Sequence, residues 1–214
     1  MADPDGVTGQ ARFGINGANR LGVRVPELRR LARAHRRDHS LALELWRSGV
    51  HEARIMATMI DDPALVTKQQ MERWLRDFGS WDLVDHACGN LFDRTPFAFD
   101  KALEWSAREA EFQKRAGFSL MATLAVHDKD ARDGDFKPFL AAIQRESYDD
   151  RNFVRKAVNW ALRQIGKRNP ALNVAAIKTA ERVQKQGTRA ARWIAADALR
   201  ELRSDAVQRK LQRG

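Results

Sequence analysis

The chain has 214 residues, 43% of them hydrophobic and 31% charged, a balance that excludes disorder and suits one domain with a core or a short repeat array. Its single cysteine, Cys88, excludes an internal disulfide framework and points to a reducing cytoplasm. No apolar run could span a bilayer, and Met1-Ala2-Asp3-Pro4-Asp5 lacks the pattern of a signal peptide. The net charge of +10 is uneven: residues 151–214 hold 16 Lys and Arg against 4 Asp and Glu, so this part carries +12 and residues 1–150 carry −2. That is the footprint of a polyanion binder or, more plainly, the solvated surface of a high-pI protein. Nucleic acid is favoured over a membrane because the cations spread over several segments rather than along one amphipathic helix.

Ala, Leu, Arg, Glu and Lys dominate and favour helix. Residues 1–20, with Gly6, Gly9, Gly14 and Gly17, read as a loop or partial helix. Pro26 suits the first turn of a helix running to about His35. Further helices are predicted at about 39–47, 51–61, 67–77, 81–93, 96–108, 110–127, 135–147, 150–168, 171–186, 188–202 and 204–211. Asp62-Pro63, Thr67, Ser80, Thr95-Pro96, Asp133-Gly134, Asn169-Pro170 and Gly187-Thr188 supply caps and stops between them. No strand competes.

An echo runs through these helices. Phe112-Gln113-Lys114-Arg115-Ala116 resembles Phe153-Val154-Arg155-Lys156-Ala157 at an offset of 41 residues. Ala190-Ala191-Arg192-Trp193-Ile194 and His51-Glu52-Ala53-Arg54-Ile55 repeat it faintly. A period near 40 with two helices per unit predicts an all-α solenoid of stacked antiparallel helix pairs, HEAT-like repeats, with a concave basic groove. Arg54, Arg115, Lys156 and Arg192 occupy the echoed slot. The alternative is coincidence among Ala- and Arg-rich helices.

Metal and nucleophile chemistry find no support in the spacing. His35 and His39 read as a solvated pair, Cys88 as a small buried residue, and no phosphate loop or zinc pattern is present. Four positions remain. Trp81 and Asp85 lie four residues apart on a helix that Ser80 is placed to cap, so they share a face, with Leu83, Val84 and Ala87 packing behind. Arg115 and Trp160 sit on later helices. Each has a plainer structural reading, and Trp46, Trp74, Trp105 and Trp193 read as core.

These residues carry a resemblance. Leu21-Gly22-Val23-Arg24-Val25-Pro26-Glu27-Leu28-Arg29, Glu44-Leu45-Trp46, Ser80-Trp81-Asp82-Leu83-Val84-Asp85 and Phe153-Val154-Arg155-Lys156-Ala157-Val158-Asn159-Trp160-Ala161-Leu162-Arg163 occur in order, and from about Phe13 onward the chain resembles the AlkD-like DNA alkylation repair family of HEAT-like-repeat DNA glycosylases. The resemblance implies a single domain over 21–214, excision of N3- and N7-alkylpurines from duplex DNA, no cofactor and no metal. It implies a monomer in the bacterial cytoplasm, associated with the nucleoid. By motif position Asp85 matches the catalytic aspartate, Trp81 the tryptophan one turn before it, Arg115 the active-site arginine and Trp160 the second tryptophan. Lys114, Arg155, Lys156, Arg163, Arg189 and Arg192 are the expected DNA-binding cations. Two other readings stay open: a non-catalytic binder of branched or damaged DNA, and a protein-interaction scaffold with Trp81 and Trp160 in its core.

Overall fold

A computed structural model describes residues 3–15 and 19–213. Among these, thirteen α-helices and three short 3-10 turns carry the chain, and there is no strand. The predicted helices are found within a few residues of their expected ends. Short 3-10 turns, Arg33–His35 and Phe92–Arg94, follow the helices that end at Ala32 and Asn90. No helix among the described residues is long and apolar enough to cross a membrane. The helices fall into two compact units, Met1–Phe97 and Ala98–Gly214.

Unit 1 contains α1 (Pro4–Arg12), α2 (Val25–Ala32), α3 (His39–Arg47), α4 (His51–Ile60), α5 (Lys68–Arg76) and α6 (Trp81–Asn90). Of the first twenty residues, read as a loop or partial helix, Pro4–Arg12 form helix α1. Asp3 caps α1 by accepting from the N–H groups of Asp5 and Gly6, and Pro4 follows at a position that needs no amide hydrogen. Gly17, expected in the same loop, lies outside the described residues. Helix α1 lies against the 21–22 backbone. Gly22 has φ +76°, and a Cβ there would stand 2.1 Å from the Asp3 carbonyl oxygen, so only glycine fits. The 2%-exposed Glu52 on α4 holds this crossing. Its carboxylate accepts from the N–H groups of Leu21 and Gly22 and from the Gln10 amide. The indoles of Trp46 and Trp74 stack 3.8 Å apart between α3 and α5, with Phe78 edge-on to Trp46. These are core residues, as expected.

Unit 2 contains α7 (Ala98–Ser106), α8 (Glu111–His127), α9 (Lys137–Glu146), α10 (Asn152–Gly166), α11 (Pro170–Lys185), α12 (Arg189–Leu202) and α13 (Asp205–Leu211). Helix α8 is buried continuously from Lys114 to Ala125, as expected of a central helix covered by neighbours. Helices α7 and α10 pack on it. At Gly117 a Cβ would lie 2.3 Å from the Ser106 backbone nitrogen, so the glycine sets how closely α7 approaches. Bonds between successive helix pairs span 38 to 43 residues: Arg115 to Phe153, Asn159 to Asp197, Ser147 to Gln186, Arg168 to Ala125. The predicted period near 40 is therefore real in unit 2.

In unit 1 the corresponding bonds, Trp46 to Asp77 and His51 to Asp82, each span 31 residues. The faint echo at His51–Ile55 belongs to a shorter spacing than the one it was grouped with.

Candidate active site and nucleic-acid interface

Helix α6 begins as predicted, with Ser80 extended at the N-cap position. The expected capping bond from its hydroxyl is not made. The hydroxyl is buried and has no hydrogen-bond partner among the described residues. Asp82 faces α4, where its Oδ2 lies 2.8 Å from Nε2 of His51 and both side chains are nearly buried. Burial raises the Asp82 pKa, but the His51 hydrogen bond and charge outweigh it, and the carboxyl stays below its ordinary range. This pair ties the first turn of α6 to the first turn of α4.

The two expected site residues stand one residue before and three residues after Asp82. Trp81 is half-buried, and its indole N–H donates to the Phe13 carbonyl at 2.9 Å. It therefore seats the chain that leaves α1. Asp85 is half-buried on the same face. The following residue, His86, is kept below its usual pKa chiefly by burial, with Arg29 adding to the effect and the Asp82 and Asp85 charges opposing it. At neutral pH the imidazole beside Asp85 is uncharged and shares a contact with Asn90, which donates to Thr58. Cys88 is fully buried, as its small size suggested.

The other two expected residues belong to unit 2. Arg115 on α8 is 6% exposed, and its Nη1 donates to the Phe153 carbonyl at 2.7 Å, fixing the start of α10. Trp160 is half-buried one turn after the exposed Lys156.

The structure sorts the six expected DNA-binding cations into two groups. Lys114 is 2% exposed, with its ammonium 2.8 Å from Glu146 and 3.5 Å from Asp149. A fully desolvated lysine so paired is not available to a phosphate, and the expectation for it is corrected. Arg163 is drawn off too, bonding Glu201 and facing Asp197 on α12. The remaining four meet no carboxylate among the described residues. Lys156, Arg189 and Arg192 are exposed, and the Arg192 guanidinium donates to the Gly187 carbonyl. The Arg155 guanidinium lies 4.6 Å over the Trp193 ring, and its Nε has no hydrogen-bond partner.

Trp193, read from the sequence as core, is 38% exposed. It presents an aromatic face beside uncompensated cations on neighbouring helices. The signal was present in Arg192-Trp193, since a tryptophan adjoining charged residues on a helix with a separate Ala/Ile/Leu stripe belongs to the other face. His39 also departs from expectation: its Nδ1 lies 2.6 Å from the buried Asp61 carboxylate, while His35 is exposed. Among the described residues no group of three His, Cys, Asp or Glu side chains could hold a metal ion.

A helical-repeat protein with a tryptophan–aspartate pair on one helix and a concentration of unneutralised cations on two others can be set against known families. The family model described as DNA alkylation repair enzyme matches residues 1–202. The chain belongs to the DNA alkylation repair enzyme family. A solved structure described as "a new family of proteins related to the HEAT-like repeat DNA glycosylases with affinity for branched DNA structures" is similar, with a TM-score of 0.72 at 20% identity, covering 85% of this chain and 78% of that one. At that identity the likeness shows the HEAT-like repeat fold of this alkylation repair family member. No curated protein matches it.

Proposed function

We propose that the protein is a monofunctional DNA glycosylase that hydrolyses the N-glycosidic bond of cationic N3- and N7-alkylpurines in duplex DNA. The observation that carries the reading is Asp85, half-buried one turn from the Trp81 indole in a chain of the DNA alkylation repair family. A purine alkylated at N7 or N3 is positively charged, so when the bond to C1′ breaks the electron pair leaves with a neutral base and no general acid is needed. The costly species is the deoxyribose oxocarbenium ion. A carboxylate beside it stabilises the developing charge and takes the proton of the water that attacks C1′.

The neighbours fit this division of labour. His86, next to Asp85, stays uncharged at pH 7. Trp81 and Trp160 offer aromatic faces that attract cationic sugar character, each contributing about 0.5–2 kcal/mol. Arg115 serves one phosphate beside the lesion, and Arg155, Lys156, Arg189 and Arg192 follow the backbone without reading bases. Lys114 and Arg163 have structural roles in this reading.

The test is single-turnover release of free base from duplex DNA methylated with a simple alkylating agent. The protein releases 7-methylguanine, and a wild type that releases no alkylpurine overturns the glycosylase reading. A second reading has one observation in its favour: the similar solved structure belongs to proteins with affinity for branched DNA. Binding without excision, unaffected by Asp85→Asn, would establish that reading instead.

A further inference from the structure

Unit 1 carries almost no net charge, with 14 Lys and Arg against 13 Asp and Glu over residues 1–97, yet five of its arginines share one cavity. The cavity encloses about 510 Å³ and is lined by Arg29 on α2, Arg33, Arg36 and Arg37 just beyond it, and Arg94 after α6. All five are exposed. The carboxylate on its wall, Asp61, neutralises none of them. Its Oδ1 is held by His39 and by the Asp62 N–H, and its Oδ2 by the Gln70 amide. The arginine of α2 that does meet a carboxylate, Arg30 with Glu27, is absent from the lining.

The backbone at Arg37 adds an independent sign. Its φ is +61°, and it is the one described non-glycine residue in the left-handed region. An L-residue pays roughly 1–2 kcal/mol there that glycine does not. Strain kept at a position where glycine would relieve it marks a side chain that is needed.

We infer that this cavity is a second nucleic-acid site, one that grips consecutive phosphates of a DNA strand on unit 1. Five cations exceed what one phosphate group can use, and the apolar wall is limited to Ala32, Met59 and Pro63, with no aromatic ring to stack a base. A phosphodiester backbone therefore suits it better than a nucleotide. Asn90, at the end of α6, also lines the cavity, five residues or about 7.5 Å of helix rise beyond Asp85. The inference rests on the DNA-binding part of the proposed function, and it adds that the strand is held on the helix that carries Asp85.

The test measures duplex DNA affinity of the full chain against salt concentration for wild type, Arg33→Ala/Arg36→Ala, Arg37→Gly and the control Arg30→Ala. The double variant is expected to lose at least tenfold in affinity at low salt, with the slope of log K against log salt falling by about 1.8, or 0.9 per phosphate. Arg37→Gly weakens binding too while its Tm is unchanged or higher, which separates the effect from misfolding. Arg30→Ala behaves as wild type. Unchanged affinity and slope in both pocket variants overturn the inference, and so does arginine-dependent binding of ATP or inorganic phosphate that is as tight as that of DNA. Release of 7-methylguanine at saturating DNA distinguishes the two claims. Excision by wild type with no pocket effect sinks only the second site, whereas pocket-dependent binding without excision sinks only the glycosylase reading.

Discussion

In unit 1 the bonds between α3–α4 and α5–α6 span 31 or 32 residues, and the helices are 9 or 10 residues long. In unit 2 such bonds span 38 to 43 residues, and α8, α10, α11 and α12 run for 14 to 17. The added length gives unit 2 room for two kinds of cation on one helix. On α10 and α12 the N-terminal parts hold Arg155, Lys156, Arg189 and Arg192 with no carboxylate partner. Further along, Arg163, Lys167 and Arg200 are taken up by Asp197 and Glu201. Unit 1, with shorter helices, gathers five arginines around one cavity near the ends of α2 and α6 instead. Net charge alone locates the first group and misses the second.

The largest effects should come from buried charges, one in each unit. Lys114→Met leaves the Glu146 and Asp149 carboxylates without their shared ammonium and is expected to cost on the order of 3–5 kcal/mol in urea melts. Glu52→Gln keeps the shape in unit 1 but turns an amide donor toward backbone N–H groups, for about 2 kcal/mol. If either substitution is silent, that crossing is not held as described.

Next in size is the contrast along α10. Arg155→Ala/Lys156→Ala should lower DNA affinity and cut the salt slope by about 1.8, with stability changed by no more than about 0.5 kcal/mol. Arg163→Ala/Lys167→Ala should do the reverse, losing up to about 1 kcal/mol of stability with the slope intact. Equal effects of the two pairs on DNA binding would erase the distinction.

The smallest effect is in pH. His86 has a folded pKa below its usual 6.5, so the stability it contributes is present above pH 6.5 and is lost as pH falls through the folded value. Glu52, Asp82, Asp149 and Glu201 are also depressed: burial raises each, but hydrogen bonds outweigh it at Glu52, and hydrogen bonds with nearby charge outweigh it at the other three. Their contribution is present above about pH 4.5 and goes at lower pH. Asp61, raised by burial, works in the opposite sense. Urea melts of wild type and His86→Gln between pH 7 and 4.5 should differ by a first, unit 1 phase that the variant lacks.

Much of this molecule is legible in its sequence. Thr67, Asn169 and Thr188 cap helices as local chemistry dictates, and the apolar stripes of α10 and α12 are buried as periodicity requires. What local pattern could not reveal are partners 30 to 40 residues away. Lys114 and Arg155 look equivalent until Glu146 claims the first and Trp193 underlies the second. Ser80 reads as a cap in the sequence, yet in the fold its buried hydroxyl makes no capping bond. The arginine cavity escaped for the same reason, since Arg94 lies some sixty residues from its companions. For the proposed site, spacing alone justified only a shared face for Trp81 and Asp85. The role of that face came from resemblance.

The most direct test is therefore single-turnover excision of 7-methylguanine by wild type and Asp85→Asn at DNA concentrations that saturate both. Wild type is expected to release the base, at a rate at least about 100-fold above that of the variant, with DNA affinities within about twofold of each other. Equal rates, or no release by either protein, would contradict that expectation.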